Sequence, residues 1–219
     1  MIFVALVDDH VITRNGIKNV IELNPEIKVV LEASNGMQLL KQLKTAAQLP
    51  DIAILDINMP VMNGFETVKV LQQNYHSIKI ITFSLIYEED TIINMINSGA
   101  CGYITKSADP STLADAIITV YTKGFYLGDL VKNEYFSKYD TVKKKSGFKG
   151  KQYISPKEIE FIKLAATNLN YKEIAEIMEV SPKTIENYRD SLFLKLEIKN
   201  RAALALYGFK NGLVSLFEK

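Results

Sequence analysis

The chain has 219 residues, of which 47% are hydrophobic and 23% charged, and its formal net charge is +1. This composition is ordinary for a globular protein, and the length allows one or two domains with a hydrophobic core. The single cysteine, Cys101, excludes an internal disulfide framework. Because only two histidines accompany it, a metal site built from cysteine and histidine is not expected.

Neither the hydropathy pattern nor the amino terminus indicates a membrane protein. No apolar run approaches the about 20 residues that a bilayer-spanning helix needs. The first residues carry no basic leader and turn acidic at Asp8 and Asp9, so they do not resemble a signal peptide. Together with the lone cysteine, these features predict a cytoplasmic protein with no membrane partner.

Charge is distributed unevenly along the chain. Residues 1–140 contain 11 Lys and Arg against 16 Asp and Glu, whereas residues 141–219 contain 15 against 9. An acidic first part and a basic second part suggest two modules, of which the second favours a polyanion such as nucleic acid.

In the first 122 residues, short apolar segments alternate with segments of helical periodicity. The predicted strands are residues 3–7, 29–33, 52–55, 79–83 and 102–105. Helices are expected between them, and a last helix after Asp109 should bury Leu113, Ile117, Val120 and Tyr121. The alternation predicts an α/β fold with a doubly wound five-stranded parallel sheet and right-handed crossovers.

The run from Asp51 to Gly64 presents a single carboxylate after a buried strand. Residues 52–55 are continuously apolar, as in a strand buried on both faces of a parallel sheet. Asp56 ends this strand, and Pro60 and Asn63 then break the apolar run. Open α/β sheets place their chemistry at the carboxyl ends of such strands.

Polar side chains follow four of the predicted strands: Asp8 and Asp9, Asp56, Ser84, and Lys106. Taken singly, each has a simpler explanation as a helix cap, a turn residue or a solvated charge. The carboxyl ends of parallel strands share one edge of a sheet, however, so we expect these side chains to meet. Three carboxylates there would repel one another unless a hard divalent cation such as Mg²⁺ lay among them.

The same five residues also predict a chemistry. A lysine and a hydroxyl opposite the carboxylates would hold the oxygens of a transferred phosphoryl group. The carboxylate between them can act as the nucleophile and form an aspartyl phosphate. Catalysis would consist mostly of positioning and charge neutralisation.

On these residues, the segment from Met1 to about residue 122 resembles the flavodoxin-like receiver domain of two-component response regulators. The resemblance implies that Asp56 accepts a phosphoryl group from a sensor histidine kinase. It also implies that Asp8, Asp9 and Asp56 bind Mg²⁺, or Mn²⁺, together with the backbone carbonyl of Asn58. The chain would then assist its own phosphorylation and dephosphorylation without being an enzyme for other substrates.

Three further roles follow from this resemblance. Lys106 would pair with the phosphate, Ser84 would bind it as the switch hydroxyl, and Tyr103 matches the switch aromatic that turns inward on phosphorylation. Ile86, two residues after Ser84, offers no polar group to orient an attacking water. We therefore expect the phosphorylated form to lose its phosphate slowly.

Residues 123–152 lose clear periodicity and are interpreted as a linker. Aromatic residues in its first half, beginning with Phe125 and Tyr126, suggest a short helix packed on one of the domains. Its run Lys143 to Lys145 could reach DNA phosphates, although such a run is more often simply solvated. The predicted boundaries are therefore 1–122, 123–152 and 153–219.

Residues 153–219 predict a small all-α domain of four helices. A capping box at Ser155 and Glu158 begins the first helix, whose predicted core residues are Ile159, Ile162 and Ala166. Further cap signals at Asn170, Ser181 and Asn200 begin the other three. Two helices joined by a tight turn, the second rich in polar side chains, are the sequence outline of a helix-turn-helix.

The third helix would carry DNA specificity, although its polar side chains are equally consistent with a solvated face. The candidate DNA contacts are Lys172, Ser181, Lys183, Thr184, Glu186, Asn187, Tyr188, Arg189 and Lys195. Residues 154–214 resemble the LuxR/FixJ-type DNA-binding domain, on patterns that include Glu173-Ile-Ala175 and Ser181-Pro-Lys-Thr184-Ile185.

Taken together, the two resemblances identify the chain as a response regulator of the NarL/FixJ type. They imply double-stranded DNA as a partner, a homodimer when phosphorylated, and RNA polymerase as a possible further partner. Two alternatives stay open. An aspartyl-nucleophile phosphatase would need a second carboxylate where this chain has Asn58. The other alternative is a receiver that acts without phosphate, as a dimerisation or ligand-sensing module.

Overall fold

The structure is a computed structural model that describes residues 1–86, 88–128 and 154–214. The chain divides into two compact units, Met1–Tyr126 and Leu127–Lys219. The predicted boundaries at 122 and 152 stay predictions, because most of the predicted linker lies outside the described residues.

A five-stranded parallel sheet forms the centre of the first unit, with the strand order β2-β1-β3-β4-β5. The strands are β1 (Ile2–Val7), β2 (Ile27–Ala33), β3 (Ile52–Leu55), β4 (Lys79–Ser84) and β5 (Gly102–Thr105). The order reverses direction after β2, as it must when the crossover helices cover both faces. The predicted doubly wound fold is confirmed.

Five helices connect and follow these strands: α1 (Val11–Ile21), α2 (Gly36–Leu43), α3 (Gly64–Asn74), α4 (Glu89–Ser98) and α5 (Pro110–Lys123). Side-chain caps fix where several of them begin. Asn35 caps α2, Asn63 forms a capping box with Glu66 at α3, and Asp109 caps α5 beside Pro110. These caps also fix the loops that leave the carboxyl ends of the strands.

The sheet buries both of its faces. Every residue of β3 is buried, which explains why residues 52–55 read as one continuous apolar run. One core cluster includes Ile17 of α1, Leu6 of β1 and Ile117 of α5. Tyr121 was expected on the buried stripe of α5, but its side chain is 41% exposed, and Ala116 is buried on that helix instead.

The chain after α5 continues as an extension of the sheet in its described part. Tyr126 donates its N–H to the carbonyl oxygen of Cys101 and pairs with Gly102 as an isolated parallel bridge. Phe125 and Leu127 are buried on either side of it. The expected helix over the first half of the linker is therefore wrong for these three residues, and residues 129–153 lie outside the described part of the chain.

Four helices form the described part of the second unit: α6 (Pro156–Ala165), α7 (Tyr171–Ile177), α8 (Pro182–Leu196) and α9 (Arg201–Lys210). Their amino termini carry the caps expected from the sequence, at Ser155, Asn170, Ser181 and Asn200. The core contains Phe161, which the sequence pattern missed, while the predicted Ile159 and Ala166 are only half-buried. The buried stripe of α6 is thus rotated by one position from the predicted one.

No helix of the described residues is long and apolar enough to cross a membrane.

Candidate phosphorylation site and DNA-reading surface

Asp56 lies at the carboxyl end of β3, and its side chain is held from two sides. Its backbone N–H donates to the carbonyl oxygen of Val7, which continues the pairing of β1 with β3 to this residue. Carboxylate Oδ1 accepts the N–H of Ile57 at 2.7 Å, and Oδ2 lies 2.5 Å from Nζ of Lys106. The residue is only 6% exposed, so this carboxylate is both buried and oriented.

Lys106 joins two of the predicted carboxylates. Its Nζ lies 2.7 Å from Oδ2 of Asp8 as well as 2.5 Å from Oδ2 of Asp56. Burial of the ammonium lowers its pKa, but the hydrogen bonds and charges of Asp56 and Asp8 outweigh burial, so the pKa of Lys106 is raised above its ordinary value. Lys106 therefore carries a fixed positive charge at the site.

The site still holds more negative than positive charge. Asp9 lies beside Asp8, and its Oδ1 is buried without a hydrogen bond in the described part of the chain. Ligand atoms of Asp8, Asp9, His10 and Asp56 all lie within 4.8 Å of one another. Three carboxylates against one ammonium leave two negative charges, which one divalent cation would neutralise. The residues therefore fit a divalent metal.

The loop after Asp56 packs closely against its backbone. Gly64 donates its N–H to the carbonyl oxygen of Ile57 at 2.9 Å. A Cβ at Gly64 would lie 2.5 Å from the carbonyl oxygen of Asp56 and 2.8 Å from Cα of Ile57, so only glycine fits there. Asn58, whose backbone carbonyl is predicted to bind the metal, is exposed within this loop.

Ser84 and Tyr103 lie on the two neighbouring strands of the same edge. Ser84 is buried at the end of β4, and its carbonyl oxygen accepts the N–H of Lys106 at 2.9 Å. Tyr103 is paired with Thr82 across β4 and β5 and points inward, with its hydroxyl donating to the carbonyl oxygen of Ile86 at 2.7 Å. Tyr103 is thus already buried in this structure.

Sequence reasoning missed Arg14, which fixes the backbone that carries the acidic pair. Its guanidinium donates to the carbonyl oxygen of Asp8 at 2.6 Å and lies 3.4 Å from Glu32. Lys18 binds the same Glu32 at 2.7 Å, and this hydrogen bond is the main reason that the pKa of Glu32 is lowered. The helical position of Arg14, one turn after His10, is the only sequence signal that could have found it.

In the second unit, α7, a turn and α8 form the predicted helix-turn-helix. The turn contains Glu179 with a left-handed φ of 52°, and Ser181 then caps α8 by accepting the N–H of Thr184. Ile174 and Ala175 of α7 and Ile185 of α8 pack in one core. These contacts hold α8 with its polar face outward.

The predicted DNA contacts divide into exposed and half-buried side chains. Lys172, Ser181, Lys183, Glu186 and Asn187 are exposed, whereas Thr184, Tyr188, Arg189 and Lys195 are half-buried.

Several of these side chains also make contacts within their own domain. Lys183 pairs with Glu186 at 2.8 Å, and Arg189 pairs with Asp190 at 2.8 Å. The ring of Tyr188 lies 6.2 Å from that of Phe161. The Lys183–Glu186 pair is exposed, and exposed pairs contribute little to stability.

Comparison with known proteins assigns the family. Residues 4–118 match the family described as the response regulator receiver domain, and residues 152–207 match the bacterial regulatory proteins of the luxR family. The first match alone covers more than half of the chain. The chain belongs to the response regulators.

Relatives of similar length support this assignment. The response regulator UvrY of Escherichia coli (strain K12) is 32% identical, over 97% of this chain and 96% of UvrY. The nitrate/nitrite response regulator protein NarL of the same strain is 30% identical, over 93% of each chain. A solved structure of the RcsB response regulator from Salmonella typhimurium, described for its conformational dynamism in DNA interaction, is 25% identical with a TM-score of 0.57, covering 94% of this chain and 98% of RcsB.

This protein is therefore a transcriptional response regulator of the NarL/FixJ type, with a receiver domain followed by a LuxR-type DNA-binding domain. The receiver domain implies a histidine kinase as its partner, and the LuxR-type domain binds DNA. The roles of single side chains in this response regulator remain predictions.

Glu158 of the LuxR-type domain makes contacts that the sequence did not predict. It was predicted only as part of the capping box, and it does accept the N–H of Ser155 at 2.9 Å. Its carboxylate also binds Ser191 at 2.8 Å and Lys195 at 2.7 and 2.8 Å, both on α8. One buried carboxylate thus joins the start of α6 to the recognition helix, a contact across 37 residues that no local pattern reveals.

Proposed function

We propose that Asp56 is the phosphoacceptor of this response regulator. The observation that carries the proposal is the position of its carboxylate, which is buried at the sheet edge, 2.5 Å from Lys106, with Asp8 on the other side of the same lysine. A carboxylate fixed in this way can attack without first losing orientational freedom.

The metal would be Mg²⁺ or Mn²⁺, held by Asp8, Asp9 and Asp56 and by the backbone carbonyl of Asn58. Oxygen ligands of this kind suit both ions. The two uncompensated negative charges and the buried Oδ1 of Asp9 support this assignment. When bound, the ion supplies positive charge for the oxygens of the transferred phosphoryl group.

In the reaction, a carboxylate oxygen of Asp56 attacks the phosphorus of a phosphohistidine on the sensor kinase. A phosphorus–oxygen bond forms while the phosphorus–nitrogen bond breaks, and the histidine nitrogen leaves with the electron pair. Lys106 is placed to exchange its bond to Asp56 for one to a phosphoryl oxygen. The carbonyl oxygen of Ser84 accepts the backbone N–H of Lys106, and the Ser84 hydroxyl would donate a hydrogen bond to a second phosphoryl oxygen.

The signal would then reach the α4 and β5 surface through Ser84 and Tyr103. Ser84 Oγ accepts a long hydrogen bond of 3.5 Å from Ile86, and the carbonyl of Ile86 accepts from Tyr103. Movement of the Ser84 hydroxyl toward the phosphate would break its hydrogen bond with Ile86 and so alter the contact between Ile86 and Tyr103. The outcome that we propose is a homodimer whose two α8 helices occupy paired half-sites on double-stranded DNA, with RNA polymerase as a further partner.

The chain is proposed not to be an enzyme for external substrates. Asn58 stands two residues after the nucleophile, where an aspartyl-nucleophile phosphatase would need a general acid. The pairing of Lys106 with Asp8 and Asp56 argues against a receiver that acts without phosphate. A module that only senses a ligand or dimerises does not need a lysine bound to two buried carboxylates.

The test is a measurement of intact mass after incubation with Mg²⁺ and acetyl phosphate. We expect the parent protein to gain the mass of one phosphoryl group and the Asp56→Ala variant to gain none. Asp51→Ala is the matched control, because Asp51 lies at the opposite end of the same strand and should leave the gain unchanged. DNA binding measured on both forms then shows whether the modification controls the second domain.

A parent protein that gains no mass from acetyl phosphate or from a cognate kinase would contradict the proposal. So would an equal gain in the Asp56→Ala variant. The first result would favour the receiver that acts without phosphate, and the second would show that another residue accepts the phosphoryl group.

A second expectation concerns the lifetime of the phosphorylated form. Ile86 offers only its backbone to the site, with its N–H toward Ser84 and its carbonyl toward Tyr103. Without a side chain to orient water, hydrolysis should take many minutes. We expect Ile86→Gln to shorten this lifetime and Ile86→Val to leave it unchanged, as measured by loss of the phosphoryl mass over time. Rapid hydrolysis in the parent protein would show that another group orients the water.

A further inference from the structure

His10 directly follows the two acidic residues of the proposed metal site, and its imidazole faces them. Nδ1 lies 2.9 Å from Oδ1 of Asp9 and 3.4 Å from Oδ1 of Asp8. That oxygen of Asp9 is the buried one that has no hydrogen bond in the described residues. A ring nitrogen and a buried carboxylate oxygen are therefore in close contact at the edge of the site.

The contacts of this imidazole are with the acidic pair and not with its own helix. His10 stands at the N-cap position of α1, yet its side chain makes no capping hydrogen bond, and only its backbone N–H binds Asp8, at 2.8 Å. The side chain is 69% exposed, so packing does not fix it either. The contacts with Asp8 and Asp9 orient the ring toward the carboxylates among which a cation would lie.

An imidazole changes which cation the site prefers. Carboxylate, carbonyl and water ligands suit Mg²⁺ and Mn²⁺, whereas imidazole nitrogen suits later first-row ions such as Co²⁺, Ni²⁺ and Zn²⁺. The ligand atoms of Asp8, Asp9, His10 and Asp56 lie within 4.8 Å of one another, a span that small side-chain rotations bring within reach of one ion.

We infer that His10 is an additional metal ligand, and that it raises the affinity of the receiver site for late first-row divalent cations without raising its affinity for Mg²⁺. The inference rests on the proposed metal site at Asp8, Asp9 and Asp56. It adds a nitrogen donor to an oxygen site. One exposed side chain then adds to the preference that a divalent site has for late first-row ions, while Mg²⁺ binding depends on the carboxylates.

The test compares Co²⁺ and Mg²⁺ binding by calorimetry in tag-free, full-length protein. In His10→Gln we expect the affinity for Co²⁺ to fall by about tenfold or more and the affinity for Mg²⁺ to change by less than about threefold. The matched control is His76→Gln, because His76 is the only other histidine of the chain and precedes β4 at the opposite end of the sheet. Pulsed EPR of bound Mn²⁺ should detect a directly bound nitrogen in the parent and lose it in His10→Gln.

The Asp9→Asn variant distinguishes failure of the His10 inference from failure of the proposed metal site. If Asp9→Asn weakens both cations while His10→Gln weakens neither, the metal site stands and the role of His10 is overturned. The role of His10 is equally overturned if His10→Gln weakens both cations to the same extent. If the parent protein binds neither cation, the proposed metal site itself fails, and the inference fails with it.

Discussion

Replacing Gly64 by alanine is expected to remove phosphorylation from a receiver domain that keeps its acidic residues. The new Cβ would lie 2.5 Å from the carbonyl oxygen of Asp56 and 2.8 Å from Cα of Ile57. Both are backbone atoms, so they cannot rotate away, and the loop that follows Asp56 must shift. Overpacking of this kind costs about 1–3 kcal/mol of unfolding free energy.

The effect on phosphorylation should be larger than the effect on stability. A displacement of Asp56 by a fraction of an ångström also moves its Oδ2 away from Lys106, and misplacement near 1 Å lowers rates by on the order of 100-fold. The measurement is the rate at which the variant gains phosphoryl mass from acetyl phosphate at saturating Mg²⁺.

Gly16→Ala provides the control for this variant. Gly16 lies in α1, exposed, with no atom within 4 Å of the position of a Cβ. Alanine there should raise the unfolding free energy by about 0.5–1 kcal/mol, because it is the better helix former, and should leave the phosphorylation rate unchanged. An unchanged rate in Gly64→Ala would show that the loop after β3 is free to relax.

The residues at the edge of the sheet could be predicted from the sequence because each of them directly follows its own predicted strand in the chain. Four of the five strands predicted in the first unit are followed at once by a polar site residue, and parallel topology brings those ends together regardless of the details of packing. The contact of Lys106 with Asp8 and Asp56 follows from strand order alone, across 50 residues in the case of Asp56. The sequence predicted the set of residues for this reason.

Other features depended on how elements pack, which periodicity does not determine. Ile177 follows the same apolar pattern as Ile174 and Ala175 in α7, yet it is 53% exposed while those two residues are buried. Arg14 and Glu158 were missed for a related reason. Charged residues on helices are usually solvated, so a sequence pattern offers no reason to bury one against a distant backbone or helix.

Glu158 is therefore the residue whose replacement should affect the DNA-binding domain most. It is 4% exposed, and hydrogen bonds from Lys195, Ser155 and Ser191 outweigh the effect of burial, so they lower the pKa of its carboxyl to about 2. The ordinary value is 4.5. The ionised carboxylate therefore stabilises the folded domain above pH 4.5, and this contribution is lost as the pH falls toward 2.

Glu158→Gln should lower the unfolding free energy of this domain at neutral pH by about 2–3 kcal/mol. Glutamine still completes a capping box with Ser155, so the change isolates the loss of the charge that faces Lys195. The difference between parent and variant should shrink as the pH is lowered from 5 toward 2. Hydrogen exchange of amides in α6 and α8, followed across this pH range in the full-length protein, measures the effect where it arises.

Glu160→Gln is the matched control, because it removes a carboxylate of the same helix whose partner Lys157 is exposed. That pair lies at 2.9 Å with both side chains largely in solvent, and exposed pairs contribute about 0–1 kcal/mol. We expect little change in exchange and little dependence on pH in this variant. Equal effects of the two replacements would mean that the loss of one negative charge from α6 is enough to destabilise the domain. The contact between Glu158 and α8 would then not be what holds the recognition helix in place.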